Sequence, residues 1–168
     1  FKSLQKPLDR RRAQLEASVL LFGFYHDVDL ELSWISEHIP ASGSTGYDRS
    51  LAGALSLLQK HKELQAEVVA HRKHMNHVLE KGRGLAKSSQ SDAEEVLQRC
   101  TQLTEEWEEL EDACSRRTAH LSKAVTREQL LLDCSELESR LTETLTLVNT
   151  EDDGKDQLAT QSLLTKHK

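Results

Sequence analysis

The sequence predicts an all-α fold: a left-handed antiparallel three-helix coiled-coil bundle, repeated in a tandem array with a continuous linker helix. Three observations predict it. The 168 residues include only 7 Gly and 2 Pro, too few for the many chain reversals of a sheet or a nucleotide-binding α/β fold. Apolar residues recur every three or four positions, which is the spacing of one face of an α-helix. The sequence also repeats itself at a fixed distance, as chains built from stacked helical units do.

The internal repeat appears when the sequence is shifted by 106 residues against itself. Ser33–Glu37 then lies over Ser139–Glu143, and Ser56–Lys62 (SLLQKHK) lies over Ser162–Lys168 (SLLTKHK), with no gap. Because chance does not keep one register over separate blocks, we interpret the chain as about one and a half copies of a unit, cut at both ends.

The unit boundaries follow from this register. Residues 1–17 are predicted to be the end of the third helix of a preceding unit. Residues 18–123 form one complete unit. Residues 124–168 supply the first helix and the start of the second helix of the next unit. The opening residue is Phe1 rather than Met, which also indicates a fragment of a longer protein.

Each unit is predicted to contain three helices. The first carries an apolar stripe that stops at Pro40, before a loop composition over residues 41–46. The second is expected to end around Gly82, Gly84 and the serines of 88–91. The third is expected to begin at a capping box formed by Ser91 and Glu94. The stripe of the first helix consists of Leu21, Phe24, Val28, Leu32, Ile35 and Ile39.

The junction between units lacks helix breakers. Between Gly84 and Gly154 there is no Gly or Pro, and the heptad rhythm continues through the span. We therefore predict one continuous helix from about Asp92 to Val148. At the upstream junction Pro7 falls inside the equivalent helix, where it either kinks the helix or begins a new one.

The side chains predicted to fix the core and the helix register lie on these heptad seams. They are Phe24, Trp34, Ile35, Leu57, His61, Leu64, Val68, Met75, Leu103, Trp107, Leu110 and Leu121.

A 106-residue unit, three heptad helices, Trp34, Trp107 and His61 together resemble the spectrin repeat, and the resemblance covers the whole chain. The strict phasing is most like the spectrins themselves, in particular a divergent non-erythroid β chain. In the following unit Arg140 stands in place of the tryptophan and Leu130 in place of Phe24. Those departures put in question how tightly the second bundle packs.

Composition excludes several functions. The net charge of -6 argues against binding to nucleic acid or to anionic lipid. No apolar run approaches the roughly 20 residues of a membrane-spanning helix, so direct membrane insertion is not expected. Cys100, Cys114 and Cys134 show no CxxC spacing, which favours a reduced, intracellular chain over a disulfide framework.

The residues that could carry chemistry are better explained as structural. His71, His74 and His77 are spaced by three on one helix, but no carboxylate or cysteine spacing supplies the further ligands of a metal site, so none is predicted. The acidic run 105–112 is interpreted as a solvated face, with docking of a basic partner as the alternative. No motif of a nucleotide site, hydrolase or metalloprotease occurs. We therefore expect no enzyme activity, no catalytic residue and no cofactor.

The resemblance to spectrin implies a structural rod segment that acts as an elastic spacer in an actin-associated, submembrane cytoskeletal cross-linker. It implies partner spectrin chains in antiparallel pairing and actin, both through the parent protein, and a cytoplasmic location at the cell cortex. The alternative is a docking repeat that recruits an ankyrin-like adaptor, a motor tail or a partner spectrin chain.

Overall fold

The computed structural model describes residues 2–39, 49–88, 91–149 and 154–166, with the backbone alone for residues 2–4. Four helices account for most of these residues: α1 (Lys2–His38), α2 (Leu51–Ser88), α3 (Ala93–Val148) and α4 (Gln157–Lys166). The described ranges contain no strand. The predicted all-α class is confirmed.

Helices α1, α2 and α3 pack on one another as a three-helix bundle. The order of their contacts gives the directions. Along α1, Asp27 pairs with Lys81 and Glu31 pairs with His71, so the contacts move backwards along α2 as α1 advances. His61 and Arg72 of α2 reach Cys114 and Glu111 of α3 in the same reversed order. The second helix is therefore antiparallel to the other two.

The core lies along the seam between the three helices, where heptad positions converge. The largest fully buried side chains are those of Trp107, Phe24, Ile35, Leu103, Leu110, Val28 and Val96. Among the other residues predicted for the core, His61, Val68, Met75 and Leu121 are buried, whereas Trp34, Leu57 and Leu64 are partly buried.

The long helix α3 passes through the predicted junction without interruption, from Ala93 to Val148 over 56 residues. A helix of this length extends ~85 Å at about 1.5 Å per residue. Upstream, α1 is also one helix, and Pro7 lies inside it rather than at its start. Of the two alternatives stated for Pro7, a new helix start is therefore excluded. The predicted stop at Pro40 lies outside the described residues, although α1 ends two residues earlier, at His38.

Helix α2 ends at Ser88, within the predicted end region of Gly82, Gly84 and the serines of 88–91, and both glycines lie inside the helix. Gly82 is buried because it faces the core. A Cβ atom at this position would lie 2.6 Å from Phe24 Cε2 and 2.5 Å from Cys100 Sγ. Glycine is thus needed for close packing of three helices and not for a turn.

The start of α3 differs from the predicted capping box as well. Asp92, not Ser91, is the N-cap residue, and its side chain makes no capping hydrogen bond. The Ser91 hydroxyl instead donates to Asp92 Oδ2 at 3.0 Å. Glu94 and Glu95 still place negative charge in the first turn, where it interacts favourably with the helix dipole.

Outside the bundle, most apolar residues of the helices are exposed. Leu8 and Leu15 at the start of α1 are exposed, as are Leu130, Leu137 and Leu141 in the second half of α3. No residue of α4 is buried. Within the described residues, none of the helices combines the length and apolar character that crossing a bilayer requires.

Candidate functional site

The middle of the bundle holds a stack of aromatic rings contributed by all three helices. The Trp34 ring of α1 lies between two histidines, with centroids 3.8 Å from His38 and 3.8 Å from His71 of α2. Trp107 of α3 stacks at 6.0 Å from Trp34 with the planes 13° apart. Parallel rings at these distances fix the rotation of each helix about its axis, because a turned helix would remove its ring from the stack. The stack therefore sets helix register.

A buried carboxylate, Glu31, lies one helical turn before Trp34. Its side chain is 3% exposed. His71 Nε2 donates to Glu31 Oε2 at 2.9 Å, and His74 Nδ1 donates to Glu31 Oε1 at 2.5 Å. Both bonds join α1 to α2, and they satisfy the carboxylate where water does not reach it.

A second histidine joins α2 to α3. His61 Nε2 lies 2.9 Å from the carbonyl oxygen of Cys114 and 3.1 Å from Thr118 Oγ1. Because a carbonyl only accepts, His61 must carry its proton on Nε2. This histidine satisfies a carbonyl on the facing helix and so ties α2 to α3.

Ion pairs complete the cross-links at the bundle surface. Arg72 of α2 pairs with Glu111 of α3 at 2.8 Å, and Arg99 of α3 pairs with Asp29 of α1 at 2.9 Å. Partly exposed pairs of this kind contribute roughly 0–1 kcal/mol each. They help to select which helices lie next to each other, but they add little to the stability of the bundle.

The two buried cysteines lack the features of nucleophiles. Cys100 and Cys114 are buried. Burial raises the pKa of the Cys100 thiol and of the Cys114 thiol, so both resist conversion to the reactive thiolate. Cys134 is exposed on the second half of α3. Neither buried thiol is prepared for nucleophilic attack.

The structure brings together several residues singled out by sequence but also one that was missed. Trp34, Trp107 and His71 meet in the stack, and His77 lies on the exposed face of α2. Glu31 was missed because the apolar stripe was followed through Leu32. The 24, 28, 31, 35 spacing of the buried positions was a signal that could have found it.

Comparison with known proteins identifies this bundle. A family model described as the spectrin repeat matches residues 19–123. The chain belongs to the spectrin repeat family. Its three helices, its ring stack and its uninterrupted α3 are therefore features of a spectrin repeat and of the helix that leads out of it.

Individual spectrins are similar along nearly the whole chain. The human spectrin beta chain, non-erythrocytic 5, is 46% identical over 98% of this chain, which confirms the predicted likeness to a non-erythroid β chain. The Drosophila melanogaster spectrin beta chain is 33% identical over 99% of it. The mouse spectrin alpha chain, erythrocytic 1, is also 33% identical over 99%. The chain spans only 4% of the length of the human relative and 7% of the other two.

Proposed function

We propose that this chain is a non-enzymatic rod segment that acts as an elastic spacer within an actin-associated cytoskeletal cross-linker beneath a membrane. The observation that carries the proposal is α3, which leaves the bundle and continues to Val148 without a break. A helix shared by two units passes tension from one to the next without a flexible loop.

The bundle itself suits reversible unfolding under load. Its core is one seam of apolar side chains closed by the ring stack, so it gains and loses packing as a unit. The interhelical bonds of His61 and Glu31 tie all three helices into that unit. A unit of this kind lengthens in a single step when it opens.

Partners are proposed for the parent protein rather than for a site on this repeat. The parent pairs antiparallel with other spectrin chains and connects to actin at the cell cortex. The docking alternative receives no support from the acidic run of α3, because Glu111 pairs with Arg72 and Asp112 pairs with Arg116 of the same bundle. These two carboxylates therefore pair with basic residues of the same bundle.

Force spectroscopy on the full chain, held by handles at its two ends, tests the spacer role. The roughly 105 residues of the repeat span about 350–380 Å when extended, against ~50 Å when folded, so one step of about 300 Å is expected. A Trp107→Ala chain is expected to open at lower force, because its core is weaker. Gradual extension with no discrete step would contradict the proposal.

A further inference from the structure

Packing alone does not explain the cluster formed by Glu31, His71 and His74, which we call the Glu31 cluster. In the 106-residue register, the position of Glu31 in the following unit is occupied by Leu137, so the helix pattern accepts an apolar residue there. Removing a carboxylate from water is unfavourable, and the side chain of Glu31 is only 3% exposed, so its two hydrogen bonds offset a cost that an apolar side chain would not have. A bundle that needed only a core side chain at this position would be served better by leucine.

Three donor atoms converge at this cluster. One carboxylate oxygen of Glu31, Nε2 of His71 and Nδ1 of His74 lie within 4.8 Å of one another. They come from two helices, since Glu31 is on α1 and the histidines are three residues apart on α2. Residues at that spacing share a helix face, so the helix itself holds both imidazoles towards the carboxylate.

We propose that Glu31, His71 and His74 bind a divalent cation of the zinc class. Two imidazoles and one carboxylate are a donor set suited to zinc and to neighbouring late transition metals, and unsuited to magnesium or calcium. Water completes the coordination as the fourth ligand, on the solvent side where His74 lies. The site is a bridge between α1 and α2.

The ligands differ in mobility in the way that metal uptake requires. Glu31 is buried and His71 is held against Trp34 at 3.8 Å, so these two are fixed. His74 is 66% exposed. Ligand atoms around tetrahedral zinc, with bonds of about 2.0–2.1 Å, are roughly 3.3 Å apart. The 2.5 Å bond from His74 to Glu31 must therefore lengthen by somewhat less than ~1 Å, which an outward rotation of the exposed ring provides.

The proton balance of binding is simple. Each imidazole now points an N–H at Glu31, and each binds the metal through that same nitrogen. A neutral imidazole passes that proton to its other ring nitrogen, and a charged imidazole releases it to the solvent. The metal replaces two hydrogen bonds between helices with three coordination bonds, and because the unfolded chain lacks this arrangement, binding stabilises the folded repeat.

Calorimetric titration and thermal unfolding of the 168-residue chain with zinc chloride test the proposal. All proteins carry Cys134→Ser to remove the exposed thiol and are first treated with chelator. The parent is expected to bind one zinc ion and to unfold at higher temperature with zinc than without, whereas magnesium has no effect. Cobalt in place of zinc is expected to give the absorption bands of tetrahedral coordination.

The matched pair is His74→Ala and His77→Ala, since both histidines are exposed on α2 and only His74 belongs to the cluster. His74→Ala is expected to weaken zinc binding at least about tenfold, because even loss of an outer-shell partner has that effect. His77→Ala is expected to bind as the parent does. Glu31→Gln, which keeps the side-chain shape, is expected to lose the zinc-dependent rise as well.

Helicity and unfolding temperature in chelator show that each variant is folded before zinc is added. Absence of zinc-dependent heat and stabilisation in the parent would overturn the proposal and leave a hydrogen-bonded carboxylate–histidine cluster only. Equal zinc affinity in His74→Ala and His77→Ala would overturn it too, by placing the ion elsewhere on the chain.

Discussion

The two halves of α3 follow the same heptad rhythm but have opposite surroundings. In the first half, Leu103, Trp107 and Leu110 are completely or almost completely buried against α1 and α2. In the second half, Leu141 and Leu145 are 63% and 59% exposed. Nothing in the backbone separates the halves, since the helix is continuous. Periodicity therefore specifies the helix, while burial depends on which neighbours are present.

The same difference in exposure is found between residues that lie 106 positions apart and so correspond in the repeat. Phe24 is 0% exposed in the bundle, and its counterpart Leu130 is 62% exposed. Upstream, Leu15 is exposed although its counterpart Leu121 is buried. We expect helices of adjacent repeats to cover the apolar stripes that lie open on both sides of the bundle.

Removing a core ring should have the largest effect on stability. Trp107→Ala deletes the α3 member of the ring stack and leaves a cavity, so it should lower the free energy of unfolding by roughly 3–5 kcal/mol. Leu145→Ala, an exposed change on the same helix, should alter it by less than about 0.5 kcal/mol. Chemical denaturation monitored by circular dichroism measures both. Similar losses in the two variants would show that both halves of α3 are packed alike.

Alanine at Gly82 and alanine at Gly84 should change the stability of the bundle in opposite directions, and both changes should be smaller than that of Trp107→Ala. Gly82→Ala places a methyl group against Phe24 and Cys100 and should destabilise the bundle by about 1–3 kcal/mol. Gly84→Ala meets no atom within 4 Å and should stabilise it by roughly 0.5–1 kcal/mol through helix propensity. Thermal unfolding of both chains checks the signs. Stabilisation by Gly82→Ala would refute the close three-helix contact.

The reaction rates of the three cysteine thiols provide a chemical comparison of the two halves of α3. Cys134 should react with a disulfide reagent at pH 8 at least about tenfold faster than Cys100 and Cys114, whose thiols are buried. Because burial raises the pKa of both thiols, their thiolate fractions at this pH are lowered, and their reaction should speed up as pH increases. Thiol release followed by absorbance measures the rates. Three equal rates in the folded chain would contradict the burial of the first half.

Much of the fold could be predicted from the sequence because heptad spacing and the lack of breakers are local signals. They specified helix type, the uninterrupted α3 and the seam that contains Trp107. The features that were missed depend on contacts between helices. Gly82 resembles a helix end until Phe24 and Cys100 are placed beside it. Glu31 resembles a surface residue until His71 and His74 approach it from α2.

The prediction of no metal site was made from the spacing of residues along one helix. Spacing along α2 reveals His71, His74 and His77 but says nothing about the carboxylate on α1 that faces two of them. Because the apolar stripe was followed through Leu32 instead of Glu31, the prediction left the Glu31 carboxylate on the surface, whereas it is buried. Sequence periodicity locates faces, whereas sites between helices require the packed structure.

Hydrogen exchange along α3 tests the central claim most directly. The claim is that burial depends on neighbouring helices rather than on helix-forming sequence. In the 168-residue chain, backbone amides of residues 97–120 should then exchange at least about a hundredfold more slowly than those of residues 130–148. The reason is that a helix without packed neighbours opens locally at little cost. Mass spectrometry of peptides from the two halves provides the comparison. Equal protection along the whole of α3 would contradict the account.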